Sequence, residues 1–455
     1  MNQVLWQKVE AFSLEPSFSE YGMTLRLAQE NCWTEDFTEK AILEYKKFMY
    51  LAAVADAMVS PSYIVDIVWH THLIFTQSYT AFCDVLGKRI EHIPSTHKRE
   101  EFDRFQQAKT RTQKLYNEHF GPQPEIFWEY DTIHKPLMLD KSKFKLKSVL
   151  IGLLAAFPVM LIVFPWVLKD LFVQIDNPFF LFLYALMILL AAVMLTFYNK
   201  SKVKKLINSW LPQTFLFHLK PAEVLYLKKS KIEYVVHDKV NALIQNKQID
   251  IAYNDKLSWV SDAPITDMKA YIIRTQMPDQ EEIHYNQLLH KVISKPAFQN
   301  TAIAIDEVNK YFSKSAFYTR LYLLNFGVWM LVLLWGISRW IVGSMRDKPV
   351  DYIVMMVLFL SVYIWYRLAS LQYLLNDQML QRYEKEIIPQ KAQQDPEWNY
   401  VSLGQKALAA SFVPIVLYAD QQNKKHSDSS GSCGTSDGGS CGSSCGSSCG
   451  GCGGD

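Results

Sequence analysis

Two stretches without a single charged residue constrain this chain more than anything else in it. They are "SVLIGLLAAFPVMLIVFPWVL" at 148–168 and "NPFFLFLYALMILLAAVMLTFY" at 177–198. At about 1.5 Å of rise per residue each reaches about 30 Å, the thickness of a bilayer's hydrocarbon core. Pro158 and Pro165 would break a soluble helix but are tolerated in a membrane one. A helical hairpin buried in a large soluble core is the competing reading, and uncharged runs this long seldom belong to one. Two shorter apolar blocks, 321–338 and 352–366, are followed by Arg339 and Arg367. They reach spanning length when those arginines lie near an interface and snorkel. Transmembrane hairpins are therefore expected at 148–198 and at 321–374.

The flanking charges set an orientation. "KSKFKLK" at 141–147 and "KSKVKK" at 200–205 bracket the first hairpin, whereas its turn, "KDLFVQID" at 169–176, carries one lysine and two aspartates. The positive-inside rule then puts the turn outside and both ends in the cytoplasm. Lys310, Lys314 and Arg320 place the start of the third span inside as well; Arg346 and Lys348 in the second outer loop weaken the rule without reversing it. The N-terminus has no basic region leading into a short apolar run, so no signal peptide is expected. The expectation is a multi-pass protein of the inner (cytoplasmic) membrane of a bacterium, with both termini cytoplasmic and the lipid bilayer as one partner. The formal net charge of +2 gives no global field for nucleic acid, which is not expected as a partner.

The remaining chain reads as soluble segments. Residues 1–140 are predicted to form a helical domain. Ile42, Tyr45, Phe48, Met49 and Ala52 make one stripe, with Thr38 and Glu39 suited to the start of that helix. "SPS" at 60–62 ends it and caps the next helix, which begins near Tyr63; 96–120 forms a third. Residues 200–320 are predicted as a loop domain, with two short helices (220–229 and 231 onward) followed by a strand near 251, a small α/β winged-helix-like order. That order suits either nucleic-acid binding or a compact interaction module, and the acids among its lysines favour the module. Residues 278–319 read as helical. Residues 376–426 return to soluble composition; 407–418, with Pro414, is too short to cross a bilayer and is expected to pack on the cytoplasmic domains or the membrane surface. The Gly/Ser/Cys-rich tail at 427–455 cannot build a core and is expected to be a disordered coil. The fold class is thus mainly α: an N-terminal cytoplasmic helical domain, four transmembrane helices in two hairpins, a small winged-helix-like loop domain and a disordered tail.

The chemistry concentrates in "VDIVWHTHLIFTQSY" at 65–79, where Asp66, Trp69, His70, His72 and Tyr79 form the candidate motif. On a strand His-x-His would share a face; on a helix positions i and i+2 lie about 200° apart, so one ion does not easily take both. Helical spacing instead pairs Asp66 with His70, where the carboxylate could fix the imidazole tautomer, and turns His72 elsewhere, toward the core. Cys83, His92 and His97 follow, and "EHIPSTH" at 91–97 reads as a loop able to fold back. Two readings stay open: a metal site drawn from His70, His72, Cys83 and His92, with zinc the first candidate, or a buried polar network joining three helices. In the tail, Cys441, Cys445, Cys449 and Cys452 follow a C-x3-C-x3-C-x2-C pattern that could wrap zinc or copper(I), or act as a redox-sensitive tether. A disulfide framework is not expected in a reducing cytoplasm. No nucleophile elbow, P-loop, dinucleotide fingerprint or HExxH motif occurs. The first two spans carry no charge deep inside, which speaks against a transporter.

The block "SPSYIVDIVWHTHLIFTQSYTAFCDVLGKRIEH" resembles the signature of the glycine-rich domain-containing proteins, through Pro61, Val65, Asp66, Val68, Trp69, His70, His72, Tyr79, Cys83, Gly87 and His92. "EYKKFMYL" upstream and "YNEHFGPQPEIFW" downstream fit the same family's helical domain, so the resemblance covers roughly residues 15–130. The rest is similar to a group of bacterial membrane proteins with paired spans, a "LKPAEVLYL"-like loop domain and a Gly/Cys-rich end. Neither resemblance implies an established reaction. The leading expectation is a membrane-anchored cytoplasmic interaction or scaffold protein that binds protein partners and is not an enzyme. The alternative is a metal-dependent enzyme or metal-handling protein built on the histidine motif or the tail.

Overall fold

The computed structural model describes every residue except 1, 16, 94–98, 253, 262, 263, 266, 279–281, 394 and 430–455. The tail cysteines 433, 441, 445, 449 and 452, and His97, lie outside the described residues. In chain order the elements are α1 (Gln3–Ala11), α2 (Met23–Asn31), α3 (Glu35–Val54), α4 (Tyr63–Ile74), α5 (Thr76–Leu86), α6 (Arg99–Phe120), α7 (Glu125–Trp128), α8 (Leu146–Gln174), α9 (Asn177–Asn208), α10 (Pro221–Lys229), α11 (Glu233–Gln245), β1 (Ile249–Ile251), β2 (Lys256–Trp259), α12 (Met268–Gln276), β3 (Ile283–His284), α13 (Tyr285–Ile293), α14 (Pro296–Ser313), α15 (Ala316–Ser344), α16 (Asp351–Ser370), α17 (Leu374–Arg382), α18 (Ile388–Lys391), α19 (Asn399–Leu403) and α20 (Val413–Ser429). The protein is mainly helical, with one small sheet. It divides into two compact units. A polar unit takes Met1–Pro136, Leu211–Glu307 and the chain from Arg382; an apolar unit takes Leu137–Trp210 and Val308–Gln381.

In the polar unit, α3 is the central helix of the N-terminal part. Glu35 and Asp36 fill its first turn, where negative charge meets the positive end of the helix dipole. Phe37, Ala41, Tyr45, Phe48 and Ala52 recur at helical spacing and are buried. The helix begins three residues before the Thr38 expected as its start, because Thr34 with its following acids already supplies an N-terminal signal. Ser62 caps α4 by accepting from the Val65 N–H at 3.2 Å, and its hydroxyl donates to the Phe127 carbonyl at 2.6 Å. One residue, Phe75, separates α4 from α5, and Gly87 ends α5 at φ +71°, a conformation costly for residues with a Cβ.

The stretch between the two hairpins carries the antiparallel sheet, in order β1-β2-β3, with Ile249 opposite Trp259 and Leu257 opposite Ile283. Ile249, Leu257 and Ile283 are buried, as are Val236, Ile272 and Leu288 of the neighbouring helices. The helical stretch expected over 278–319 is interrupted by β3, so its helix starts only at Tyr285. The segment at 407–418 lies on this part of the unit. Asn241 donates to the Ala407 carbonyl at 3.2 Å and accepts from the Ala409 N–H at 2.8 Å; Phe412 meets the Tyr285 ring edge-on at 5.0 Å.

One carboxylate joins distant parts of the chain. Glu223, buried in the first turn of α10, accepts from the Lys220 N–H and from the Glu35 N–H, each at 2.8 Å. It therefore caps two helix N-termini at once. Lys269 pairs with Glu35 at 2.8 Å beside it, Lys220 with Glu39 at 3.1 Å, and Lys295 with Glu20 at 3.0 Å.

In the apolar unit, α8, α9, α15 and the helix beginning at Asp351 are long and apolar enough to cross a membrane. Helix α8 continues through both Pro158 and Pro165. Ile162 and Trp166 of α8, and Met194 and Phe197 of α9, are widely exposed apolar side chains, a surface that hydrocarbon would cover. Helix α15 packs against α8, α9 and α16. Arg339 does not snorkel as the sequence suggested. It is buried, donates to the Phe172 carbonyl and, at 2.9 Å, to the Ile175 carbonyl, and sits 4.9 Å from the Phe180 ring centre. It thereby satisfies carbonyls that the end of α8 leaves unpaired. Asn199 and Asn325 exchange amide hydrogen bonds at 2.9 and 2.8 Å between α9 and α15. Tyr184 donates to the Val332 carbonyl at 3.2 Å, passing so near Gly336 that a Cβ there would lie 2.2 Å from its hydroxyl oxygen.

Candidate functional site

Helix α4 carries the motif with two chemically distinct sides. On the inner side His72 is fully buried and lies between two hydroxyls. Its Nδ1 is 2.8 Å from the Tyr45 hydroxyl and its Nε2 is 3.1 Å from Ser78 Oγ. Ser78 gives its own proton to the Leu14 carbonyl at 2.8 Å, so toward His72 it can only accept. This network assigns the proton to Nε2 and leaves Nδ1 to accept from Tyr45. Burial pushes the His72 imidazolium down to about 4, so the ring is neutral near pH 7. Trp69, also fully buried, donates to the Tyr79 hydroxyl at 3.2 Å, and Tyr79 in turn donates to the Ile90 carbonyl. The Trp69–Tyr79–Ile90 chain ties α4, α5 and the segment after α5 together.

On the other side Asp66, almost fully buried, faces two imidazoles. Its Oδ2 lies 3.4 Å from His70 Nε2, one turn further along the helix, and its Oδ1 lies 3.2 Å from His92 Nε2, which arrives from beyond Gly87. The two imidazole rings are 4.4 Å apart, and the His92 ring meets Trp69 edge-on at 4.8 Å. The Asp66 carboxylate raises the His70 imidazolium above its ordinary range, against the effect of partial burial. His70 keeps 47% of its side chain exposed, whereas His92 keeps 9%.

The structure thus separates the residues that the sequence grouped. Asp66, His70 and His92 converge, with one ligand atom from each lying within 4.8 Å of the others; among the described residues they form the group able to hold a metal ion. His72 turns to Tyr45 and Ser78, and Cys83 is buried on α5; neither belongs to that group. Asp66, read from the sequence as the carboxylate that orients His70 and as part of the metal-site alternative, is placed as a potential ligand itself.

A second polar centre was not singled out in the sequence. Glu44 of α3 is buried and accepts from the Tyr116 hydroxyl at 2.7 Å, the Trp128 indole N–H at 2.7 Å and the Lys47 ammonium at 2.7 Å. It draws the flanking "EYKKFMYL" and "YNEHFGPQPEIFW" segments onto one carboxylate. The only local signal was an acid inside an apolar helical stripe.

Part of the N-terminal helical segment that carries these residues is similar in sequence to a known family. A family model described as glycine-rich domain-containing protein-like matches residues 19–81. Glycine-rich domain-containing protein 1 of Arabidopsis thaliana is 28% identical over 108 residues, which is 22% of this chain and 12% of that protein. The chain therefore spans about an eighth of the length of this curated relative. No solved structure matches the chain.

Proposed function

We propose that this protein is a membrane-anchored scaffold. Its two apolar hairpins hold one cytoplasmic body, built from the glycine-rich-domain-like helices, the loop domain and the C-terminal segment, that binds protein partners. Both termini lie in the cytoplasm, and the membrane is a bacterial inner membrane. The observation carrying this reading is the composition of the polar unit. It is assembled from chain that precedes the first hairpin, separates the two and follows the second. Glu223 and Lys269 join the first of these segments to the second, and Asn241 joins the second to the third. Segments so placed can meet only if each hairpin returns the chain to the side it left. The basic runs beside the first hairpin support the cytoplasm as that side. The exposed Tyr21 and Phe102 give the polar unit aromatic surface of the kind that partner interfaces use.

The test uses the full chain in its native host. Single cysteines at Asp176 and Asp347 should react with a membrane-impermeant maleimide in intact cells, and one at Tyr21 should react only after permeabilisation. A photo-crosslinking side chain at Tyr21 or Phe102 should give discrete protein adducts. Labelling at position 21 in intact cells would overturn the orientation. Crosslinking only to lipid, or to nothing, at both positions would overturn the scaffold reading.

A further inference from the structure

We infer that Asp66, His70 and His92 form an open binding site for one divalent first-row transition ion of the zinc and iron(II) class. Three observations carry the inference. The first is convergence: helix α4 places Asp66 and His70 one turn apart on one side, and His92 arrives opposite, so that three ligand atoms lie within 4.8 Å of one another. Bonds of about 2.0–2.2 Å in a tetrahedral site put neighbouring ligand atoms about 3.3–3.5 Å apart. The two carboxylate–imidazole separations, 3.2 Å from Oδ1 to His92 and 3.4 Å from Oδ2 to His70, have that length, each to its own oxygen of Asp66. With one Asp66 oxygen as the ligand, no edge of the face exceeds 4.8 Å, so none has to close by more than about 1.5 Å. His70 can make that movement, because half of its side chain is in solvent.

The second observation is the graded burial. Asp66 and His92 are held in the wall, Asp66 at 3% side-chain exposure and His92 against Trp69, while His70 opens outward. An ion on these three ligands would have a dry, rigid floor and a solvent-facing side where water or a further ligand completes the shell. Three protein ligands with positions left open distinguish a reactive or exchangeable site from a closed structural one. The third observation is the donor set. Two imidazoles and one carboxylate suit zinc, iron(II), cobalt or manganese; copper(I) prefers sulfur, and Cys83 stands outside the group. Calcium and magnesium ask for oxygen ligands that this site does not supply. His72 cannot share the ion, because both its nitrogens are engaged by Tyr45 and Ser78.

The inference does not depend on the scaffold reading, since it concerns ligands in one domain whatever side of a membrane that domain occupies. The experiment uses the full chain in detergent, with Cys433, Cys441, Cys445, Cys449 and Cys452 replaced by serine so that tail thiolates take no metal. Cobalt(II) is titrated as the probe and followed by its visible absorption. The expected result is one saturable equivalent with nitrogen/oxygen-type bands, displaced by zinc and unaffected by excess magnesium. Loss of an outer-shell partner costs about 10–100-fold in metal affinity, so loss of a ligand should cost at least the upper end of that range. His70→Ala and His92→Ala should each show it, while His290→Ala, at an exposed histidine elsewhere, should not. His70→Ala is the decisive variant: the side chain is half-exposed and its removal should leave the circular dichroism and metal-free melting unchanged. Zinc should raise the melting temperature of the parent protein and not that of His70→Ala. Absence of a saturable equivalent overturns the inference, and so does binding that His70→Ala leaves intact.

Discussion

Glu223 and Asn325 are both buried polar side chains in the same protein, and they are satisfied in different ways. Glu223 holds its carboxyl group between two helix N-termini, with the Lys269 ammonium and the Glu35 carboxylate close by. Asn325 meets another neutral amide, Asn199, and a carbonyl of its own helix. The same contrast runs through the two units. In the polar unit Glu44 gathers three donors and His237 lies between the Tyr285 hydroxyl and Asp420. In the apolar unit even Arg339 is met by backbone carbonyls and a ring face. A segment that folds in water can bury a charge when several partners repay its lost hydration; a segment that sits in hydrocarbon makes most of its polar contacts to neutral groups. Polar substitutions should therefore cost much in the first unit and little in the second.

The largest effect is expected at His72. Truncation to alanine empties a ring-sized space and takes one hydrogen-bond partner from the Tyr45 hydroxyl and one from Ser78, for about 3–5 kcal/mol. Hydrogen exchange along α3 and α4 should accelerate accordingly while α15 stays protected. Lys269→Met comes next. It leaves Glu35, Asp267 and Glu223 without their shared cation. A fully buried pair would cost about 3–5 kcal/mol; Glu35 keeps part of its side chain in water, so about 2–4 kcal/mol is expected. Proteolysis should then begin between the N-terminal helices and the loop domain. If exchange in α15 rises as much as in α3 after either change, the contrast between the units fails.

A pH series sharpens the same contrast. Burial, with the Glu35 charge adding to it, pushes the Glu223 carboxyl up to about 7, against the two N–H donors and Lys269. A carboxyl raised in the folded state adds stability that is full below its ordinary value of 4.5 and is lost as pH climbs through about 7. That loss amounts to about 3 kcal/mol. Glu223→Gln should reduce the slope in the polar unit's melting between pH 4.5 and 7, because the amide does not titrate; Asp238, which burial also pushes up to about 7, keeps the remainder. An unchanged slope would mean that Glu223 stays ionised throughout, held so by the two helix ends.

These residues also show what the sequence could and could not disclose. The first two apolar helices were legible because an uncharged run of bilayer length rarely occurs outside a membrane, and the extra turns of α9 into "KSKVKK" follow from continuing helix propensity; the other two were legible only by allowing for Arg339 and Arg367 at their ends. The Asp66–His70 pair was legible because a spacing of four fixes it on any helix, and the same geometry turned His72 inward. His92 was legible as a candidate ligand on a loop able to fold back, but its pairing with Asp66 was not, since that depends on the path taken after Gly87. The break at Phe75 was not legible: no proline or glycine marks it. Nor was the role of Glu223. It looks like an ordinary acid in a first helical turn, and its second helix begins 188 residues away in sequence. Local chemistry was readable at each of these positions; the long-range closures that give it purpose were not.

Asn325→Val is the smallest expected change and the sharpest test of the contrast. It removes the reciprocal amide pair between α9 and α15 and leaves Asn199 without that partner. In water, an orphaned buried amide would cost about 1–3 kcal/mol. Inside a helical bundle in lipid, interhelical hydrogen bonds have averaged about 0.6 kcal/mol, because the separated helices also find partners for their polar groups. The expected loss is therefore about 1 kcal/mol or less, read as a shift in unfolding of the detergent-solubilised chain monitored at Trp329, which is buried on α15. The double variant Asn199→Val with Asn325→Val should recover most of it, since no polar group is then stranded. A loss as large as that of Lys269→Met, with no recovery in the double variant, would place this pair in an environment as demanding as the polar unit's core, and the division of the chain by solvent would not hold.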